Sequence, residues 1–515
     1  PPPPPPPPPR LDSSAASDVY KRQVVSLPAY STYNLNITTI VNSLPSYNMG
    51  LVGTNIINLN TFFSGNPLTA ARRRFFIVLY SMLSFLILTA CTEPTNELEQ
   101  QDPAQTTPED SAYYPTDLNW TDYGPILEAG EVGAWDHYLW GAFAAAVVKK
   151  DDTYFLYYQG ASSYRYAYDE TVCGRAIGVA ISRDGINFEK YEGNPVVSWA
   201  PNNECEEGAV SLALATDHNE DILAFYGANT ALNSASVNAD ARLARSSDVV
   251  HFDDLGIVLD HGNTDIWGSG DELFPIAVAQ AADKWLLYYL PNGSKFSRQL
   301  GVAWGTSPFE LKHSSAVERH TQETFPMWGT GSHVQLSPHS NILFLFNNPK
   351  DRLETWSISP DAPQRLSNLL ASHKLEDTSH ASVLLDKTRN SWFLFYRAGN
   401  QYHVKVAPHG KADETGPTPP PEVQANRVSA TRVELSWSPA MDPHTGVAVY
   451  KIYRNGALAG KTKQRRFADA VFEHTSSSYE ISAVNLHGVE GLHSVPVSAP
   501  TYTPRTPAGP SDDYE

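Results

Sequence analysis

Acidic and histidine side chains stand at or just before the start of five similar strand-like segments of the chain. In chain order they are Trp135-Asp136-His137, then Glu204, Glu206 and Glu207, then Asp271 and Glu272, then His333, then His380. A protonated carboxyl group on one side of a bond and a carboxylate on the other side are suited to general acid–base cleavage of that bond. The chemistry requires a fold that brings the five segment starts together.

The five segments belong to a unit that is repeated five times along the chain. The most recognisable element of each unit is an apolar, aromatic run that follows the segment. The runs are Tyr154–Gly160, Ile222–Ala228, Trp285–Pro291, Ile342–Asn348 and Trp392–Ala398. Continuous runs of this length and composition are typical of buried strands.

Each run is predicted to be the second strand of a unit. The predicted first strands are Phe143–Val148, Ala209–Leu214, Leu273–Val278, His333–Leu336 and Ala381–Leu385. The predicted third strands are Ala176–Ser182, Ala241–Ser247, Leu300–Thr306, Leu353–Ser359 and His403–Ala407. Three units add an outer edge, at Asn187–Lys190, His251–Asp254 and Pro308–Leu311. Five four-stranded units predict an all-β chain with a five-bladed β-propeller over 113–410, rather than a β-sandwich array or a β-helix.

The propeller region resembles glycoside hydrolase families 43 and 32 and their relatives, families 117 and 130. The resemblance lies in the inner-strand carboxylates of the first three units and in the phrase Ala176–Tyr191 followed by Asn194-Pro195-Val196. It implies that Asp136 is the base or nucleophile, that Glu272 is the general acid, and that Glu207 tunes the acid. Sugar-contacting residues would be Trp135, His137, Glu206, Asp271, His333 and His380, with the alternative that one of His333 and His380 acts in place of an acid.

One feature departs from the family pattern, and a second leaves the choice between neighbouring acids open. Asp136 lies far before its second strand and lacks the proline that follows it in typical family 43 members. Spacing does not separate Glu206 from Glu207, and only one of Asp271 and Glu272 is expected to face the channel, because side chains alternate along a strand. Trp140, Trp267 and Trp328 are further candidates for stacking on sugars.

A second all-β unit is expected over 422–502, after a proline-rich linker at 411–421. Val433–Trp437, Val449–Gly456 and Tyr479–Val484 resemble strands of a fibronectin type III domain, with a buried Trp437, a hairpin turn at Asn455-Gly456 and a corner tyrosine at Tyr479. We expect this unit to be structurally separate, with Trp437, Tyr453 and Tyr479 in its core. Residues 503–515 are expected to be a disordered tail.

Residues 72–91 have the pattern of an export signal. Arg72–Arg74 precede an apolar run that closes at Leu88-Thr-Ala-Cys91, which resembles a bacterial lipobox with Cys91 as the lipidated residue. Residues 1–71 are interpreted as an artefactual or disordered leader, 72–91 as the signal peptide and 92–112 as a flexible tether. The implied location is the bacterial cell envelope, lipid-anchored in the outer membrane, on its periplasmic or surface side, with the lipid bilayer as a partner.

Composition limits the remaining alternatives. The formal net charge of −19 argues against nucleic acid as a partner. Cys173 and Cys205 are left as candidates for a disulfide in an exported protein. No cofactor is predicted, and a calcium ion on the propeller axis is left open.

Two functions fit these features best, and a lyase or another propeller enzyme is a further alternative. The first is a surface-anchored glycoside hydrolase that acts on oligosaccharides or polysaccharides by carboxylate acid–base chemistry. The alternative is a non-catalytic carbohydrate-binding or adhesion propeller, in which the same groups only hydrogen-bond to sugar.

Overall fold

A computed structural model describes part of the chain. The described residues are 120–139, 145–161, 175–198, 208–229, 239–269, 272–292, 299–319, 329–337, 340–347, 351–366, 368–375 and 379–502. They belong to one compact unit, Glu99–Glu515. Every helix or strand among them is a β-strand, which confirms the all-β class. In this described part there is no helix with the length and apolar character that a membrane span requires.

The predicted leader, signal peptide and tether, with Cys91, lie outside the described residues, and so does the predicted tail.

Twenty-three strands precede residue 410. They are β1 (Thr121–Glu128), β2 (Tyr138–Leu139), β3 (Ala145–Lys150), β4 (Thr153–Ala161), β5 (Ala176–Ser182), β6 (Glu189–Lys190), β7 (Ala213–Thr216), β8 (Ile222–Asn229), β9 (Ala239–Ser246), β10 (Asp253–Leu259), β11 (Glu272–Ala281), β12 (Lys284–Asn292), β13 (Gly301–Gly305), β14 (His313–Ala316), β15 (Glu318–Arg319), β16 (Gly331–Ser337), β17 (Ser340–Asn347), β18 (Arg352–Ser357), β19 (Arg365–Leu366), β20 (Asn368–Lys374), β21 (Ser379–Asp386), β22 (Ser391–Ala398) and β23 (Gln401–Pro408).

These strands form five antiparallel sheets. Sheet one contains β2 to β6, sheet two β7 to β10, sheet three β11 to β14, sheet four β16, β17, β18 and β20, and sheet five β21, β22, β23 and β1. β15 and β19 form a separate two-stranded parallel pair. The predicted first, second and third strands are all present within a few residues of their expected bounds.

The outer strands differ from the prediction. Pro308–Leu311 lies largely in a turn, and the outer strand of sheet three is β14 instead. Sheet four has an outer strand, β20, that no sequence pattern indicated, because exposed edge strands carry no apolar repeat. Sheet five takes its outer strand from the start of the described chain, since β1 pairs with β23.

Adjacent sheets pack face to face through apolar clusters. Sheets one and two, two and three, three and four, four and five, and five and one each share one of these clusters. The second strands supply both faces: Leu286 and Tyr288 of β12 point into the cluster with sheet four, whereas Leu287 and Tyr289 point into the cluster with sheet two. Because both faces of these strands are buried, their sequences are continuous apolar runs.

The first strands of the five sheets also contact one another in turn. β3 contacts β7, β7 contacts β11, β11 contacts β16, β16 contacts β21, and β21 contacts β3. Their mutual register is defined in one pair, where the Thr330 hydroxyl donates to the Ala381 carbonyl and the Val383 N–H donates to Ser332 Oγ. The first strands therefore surround a common axis.

Seven further strands form the C-terminal unit. They are β24 (Gln424–Ser429), β25 (Arg432–Ser436), β26 (Val447–Arg454), β27 (Ala457–Thr462), β28 (Arg466–Ala470), β29 (Ser477–Asn485) and β30 (Val497–Ala499). One sheet has the order β24-β25-β28 and the other β27-β26-β29-β30. The predicted hairpin turn is present, with a positive φ at both Asn455 and Gly456.

The core of this unit contains a different tyrosine from the one that the sequence predicted. Trp437 and Tyr479 are buried as predicted, but Tyr450 fills the place expected for Tyr453. The alternation of side chains along β26 puts position 453 on the opposite face, where its ring stacks on His493. The Tyr479 hydroxyl donates to the Asp469 carboxylate at 2.6 Å.

The C-terminal unit contacts sheets one and five. The Tyr123 hydroxyl donates to the Asn485 carbonyl at 2.8 Å, and Lys463 Nζ donates to the Pro125 carbonyl at 2.6 Å. Ala448 and Leu486 join the apolar cluster of sheets one and five. The unit is thus packed against the first 23 strands, and folding of those strands without it stays a prediction.

Candidate functional site

A cavity of about 230 Å³ lies among the five first strands. Most of its lining residues are apolar by type, with Val147, Leu214, Val278 and Val383 among them. Its polar lining groups are Ser332, His333, Gln335, Ser382 and Lys387. Calcium ions prefer several oxygen ligands, including carboxylates. The described lining of this cavity contains no carboxylate. The calcium ion on the axis therefore stays a prediction.

Glu272 is the first residue of β11, the first strand of sheet three. Its carboxylate is buried, with 6% of the residue exposed, and the residue faces Asn292 in the register of β11 with β12. A charged group at this level of burial needs a partner or a proton. Glu272 is therefore a buried carboxyl group at the start of the first strand of sheet three.

His333 lies in the wall of the axial cavity. Its Nε2 is 2.9 Å from the Asn341 side-chain oxygen. Burial lowers the pKa of the His333 imidazole to about 4, although the Asn341 bond acts in the opposite direction. The ring is therefore neutral at neutral pH and can exchange hydrogen bonds with a polar ligand, but it supplies no positive charge.

His380 is buried near the start of β21, with a left-handed backbone at φ +51°. Thr330 lies level with Ala381, and Ser332 lies level with Val383. His333 is therefore level with residue 384, and His380 lies about four residues closer to the start of its strand. At ~3.3 Å per residue the two histidines differ in level by about 13 Å. They lie on neighbouring first strands but at different levels, which the sequence spacing did not indicate.

Asp136 precedes β2 and is buried against sheet one. Its Oδ2 accepts from Lys190 Nζ at 2.6 Å and from the Tyr158 hydroxyl at 3.1 Å. Its Oδ1 faces Gly130 so closely that a Cβ there would lie 2.2 Å away. Both carboxylate oxygens therefore contact protein groups. This geometry favours a structural ion pair, and the catalytic role of Asp136 stays a prediction.

The Asp136–Lys190 pair gives a stability prediction. The Asp136 side chain is 5% exposed and that of Lys190 32%, so removal of the lysine leaves a buried carboxylate without its ammonium. Lys190→Met is expected to lower the free energy of unfolding by about 2–3 kcal/mol, below the ~3–5 for a fully buried pair. The double variant Asp136→Asn, Lys190→Met is expected to recover part of that loss in urea denaturation. Strictly additive losses would contradict a structural pair.

Trp135 and His137 flank Asp136 and contact the same region. The Trp135 ring stacks on Tyr158 with centroids 5.7 Å apart and closely approaches Gly160 and Gly178. Trp267 occupies the matching place on sheet three, beside Tyr289 and Gly301. This repeat indicates a packing role for both tryptophans, and sugar stacking by them stays a prediction.

His137 is fixed by a contact between its Nδ1 and the Gly130 carbonyl oxygen, 3.0 Å apart.

Several predicted site residues lie outside the described residues. They are Glu204, Glu206, Glu207, Asp271, Trp140, Trp328, Cys173 and Cys205. The proposed acid-tuning role, the choice between adjacent acids and the disulfide therefore stay predictions.

One polar pair was missed by sequence reasoning. His261 Nδ1 is 2.7 Å from Asp240 Oδ1, and the same oxygen accepts from the His261 N–H at 3.0 Å. Asp240 lies in the third strand of sheet two and His261 in the loop after β10, so neither falls at a first-strand start. Asp240, Asp260 and His261 form one of two groups in the described chain that could hold a metal ion. No spacing motif links them, and only the fold brings them together.

Comparisons with known proteins give structural matches only. No family model and no curated protein matches the chain. The chain is similar to solved structures of a provisionally assigned glycosidase from Bacteroides thetaiotaomicron (12% identity, TM-score 0.41, 57% of this chain and 97% of that one) and a provisionally assigned glycoside hydrolase from Parabacteroides distasonis (14%, 0.41, 58% and 98%). A glycosyl hydrolase from Bacteroides ovatus matches at 11% identity and a TM-score of 0.39, over 56% of this chain and 92% of that one.

Proposed function

We propose that the chain is a glycoside hydrolase, built as a five-bladed β-propeller with a C-terminal fibronectin type III domain. The cyclic contacts of the five first strands and the five apolar clusters between sheets support the propeller. The outer strand β1, which pairs with β23, joins the start of the described region to its fifth sheet. The two packed sheets of the C-terminal unit, with Trp437 and Tyr479 in the core, support the second domain.

The observation that carries the proposed activity is the buried carboxyl group of Glu272 at the start of an axial strand. Glycosidic cleavage requires a protonated acid beside the leaving oxygen. In our proposal, Glu272 donates its proton to that oxygen as the bond to the anomeric carbon breaks. A second carboxylate, assigned to Asp136, deprotonates water or attacks the anomeric carbon, and Glu207 tunes the acid.

Polar groups along the axis are assigned to substrate binding in this proposal. His333 and His380 exchange hydrogen bonds with sugar hydroxyls at two levels of the channel. The neutral state of His333 suits an uncharged sugar. Oligosaccharides or polysaccharides are therefore the proposed substrates.

A second candidate function is carbohydrate binding without catalysis. The contacts of Asp136 favour it, because Lys190 and Tyr158 occupy one oxygen and Gly130 packs against the other. A carboxylate held in this way has only Oδ1 left to act as a base or nucleophile, and Gly130 packs beside that oxygen. In this alternative the axial groups only bind sugar.

The experiment that separates the two functions measures turnover and binding with the same purified full-length chain. A panel of aryl glycosides and plant and marine polysaccharides is screened for released reducing ends, and each sugar is also tested for binding by calorimetry. Release of reducing ends supports the hydrolase. Saturable binding with no release across the panel supports the second function.

We also propose that the chain is anchored in the bacterial cell envelope by a lipid on Cys91. The basic residues Arg72–Arg74, the apolar run and Leu88-Thr-Ala-Cys91 carry this proposal. Cys91→Ser is expected to move the protein from the membrane fraction to the soluble fraction, because the acylated residue is lost. Fractionation and metabolic labelling with a fatty-acid analogue measure this, with Cys173→Ser as the control. Equal membrane association and labelling of Cys91→Ser and the wild type would contradict anchoring at Cys91.

A further inference from the structure

Three potential metal ligands meet where the chain leaves β23 and enters the C-terminal unit. They are Asp413, Asp442 and His444. One donor atom from each of the three lies within 4.8 Å of the others. Asp413 belongs to the predicted linker, and the other two residues lie in the loop between β25 and β26, so the cluster joins two segments that are distant in sequence.

The charges of this cluster are not balanced within the described chain. No lysine or arginine of the described chain lies within 4.0 Å of either carboxylate, and His444 Nδ1 is 3.8 Å from Asp413 Oδ1. His487 also lies near both carboxylates, but its Nδ1 accepts from the Asp413 N–H at 2.7 Å. Arg389 lies close by, but its guanidinium donates to the carbonyls of Arg183 and Asp184. Two neighbouring carboxylates without a cation repel each other.

An independent observation concerns the second oxygen of Asp442. Its Oδ1 accepts from the N–H groups of Thr445 at 2.8 Å and Gly446 at 3.0 Å. Its Oδ2 is fully buried and has no hydrogen-bond partner within the described residues. A buried carboxylate oxygen with no donor is costly and points to a ligand such as an ion.

The Asp413 carboxylate is held in place by hydrogen bonds from neighbouring groups. Its side chain is 8% exposed, and its carboxylate accepts from the Thr415 N–H at 2.9 Å and from Asn485 Nδ2 at 3.1 Å. Donors of this kind orient a metal-binding carboxylate. His444 is 61% exposed, so its ring can turn toward the two carboxylates at little cost.

We propose that Asp413, Asp442 and His444 bind a divalent transition-metal ion, with Zn²⁺ as the best match. Zn²⁺ accepts mixed carboxylate and imidazole ligands, whereas Ca²⁺ and Mg²⁺ take oxygen ligands. Tetrahedral ligands at ~2.1 Å lie about 3.4 Å apart, so a closure of up to about 1.4 Å from the present limit of 4.8 Å completes the three-residue site. The ion fixes the linker onto the C-terminal unit and is independent of the proposed hydrolase activity.

The test is a calorimetric titration of the tag-free full-length chain with Zn²⁺ at pH 7. Asp442→Asn keeps an oxygen that can accept the backbone N–H groups, and His444→Ala changes only an exposed ring, so both variants are expected to fold. Each is expected to bind one equivalent fewer than the wild type, or to bind that equivalent at least tenfold more weakly. His474→Asn is the matched control, because His474 is 88% exposed, lies outside the cluster and has a positive φ that asparagine tolerates.

A second readout is thermal unfolding of the C-terminal unit. Saturating Zn²⁺ is expected to raise the unfolding temperature of the wild type and of His474→Asn more than that of either cluster variant. Unchanged stoichiometry and affinity in both cluster variants would overturn the site. Binding of Ca²⁺ that Asp442→Asn removes and His444→Ala leaves intact would also overturn it, since the imidazole would then not be a ligand.

Discussion

Replacement of Glu272 by glutamine is expected to lower turnover by ~10²–10⁴, the range for loss of general acid catalysis. Glutamine keeps the shape of the side chain but cannot deliver a proton to the leaving oxygen. The loss is expected to be largest for natural sugars and smallest for aryl glycosides whose phenolate leaves without protonation. Steady-state kinetics on matched substrates with good and poor leaving groups measure this difference.

Two controls separate this effect from damage to the fold. Glu310→Gln makes the same chemical change at an exposed turn of sheet three, where the side chain pairs with Lys312, and is expected to keep wild-type rates. Urea denaturation of Glu272→Gln shows whether the variant remains folded. A folded Glu272→Gln enzyme with the wild-type rate on a poor leaving group would remove Glu272 from the mechanism.

Asp386 is expected to give the largest loss of stability. It ends β21 in sheet five, and its side chain is 1% exposed. Lys149 Nζ of sheet one donates to it at 3.0 Å, the Tyr154 hydroxyl of sheet one also donates to it, and Thr388 Oγ1 donates at 2.6 Å. Asp386→Asn leaves Lys149 with a neutral partner at the contact of sheets one and five. The expected loss is about 3–5 kcal/mol in the free energy of unfolding.

The Asp386 carboxylate also makes the free energy of unfolding depend on pH, in a direction that follows from its pKa. Burial acts to raise the pKa of Asp386, but donors from Thr388, Tyr154 and Lys149 outweigh it and hold the pKa below its usual value. The unfolded carboxyl titrates near pH ~4. Its stabilising contribution is therefore complete above that pH and declines as the pH falls through the lower folded pKa.

Urea denaturation between pH 7 and pH 3 measures both effects. The stability difference between wild type and Asp386→Asn is expected to be full at pH 7 and to shrink below pH ~4. Asp361→Asn is the matched control, because Asp361 is 91% exposed beside Lys284 and is expected to change stability by less than about 0.5 kcal/mol. A pH-independent difference, or none at pH 7, would contradict the role of Asp386.

The strand pattern was predictable because most of it depends on local composition. Runs such as Trp285–Pro291 are apolar on both faces, and burial between two sheets requires this. The Asn455-Gly456 turn was predictable because its backbone requires positive φ at two successive residues. By contrast, β20 is an exposed edge, and the pairing of β1 with β23 joins segments far apart in the chain.

The candidate site was less predictable than the strands because it depends on long-range partners. Glu272 lies at the start of β11, where the strand pattern predicted it, but the pairing of Asp136 with Lys190 spans 54 residues and no spacing rule connects them. The level difference between His333 and His380 depends on how sheets four and five align. Likewise, Asp240 and His261 meet only through the turn that follows β10.

The most direct test of the proposed function is a crystal structure of Glu272→Gln with a bound oligosaccharide that the wild type cleaves. The proposal predicts a glycosidic oxygen within ~2.6–3.2 Å of the side chain at position 272, at the end of the channel where the first strands begin. Sugar bound away from that position, for example in the cleft that Lys190 and Lys463 line between sheet one and the C-terminal unit, would contradict it.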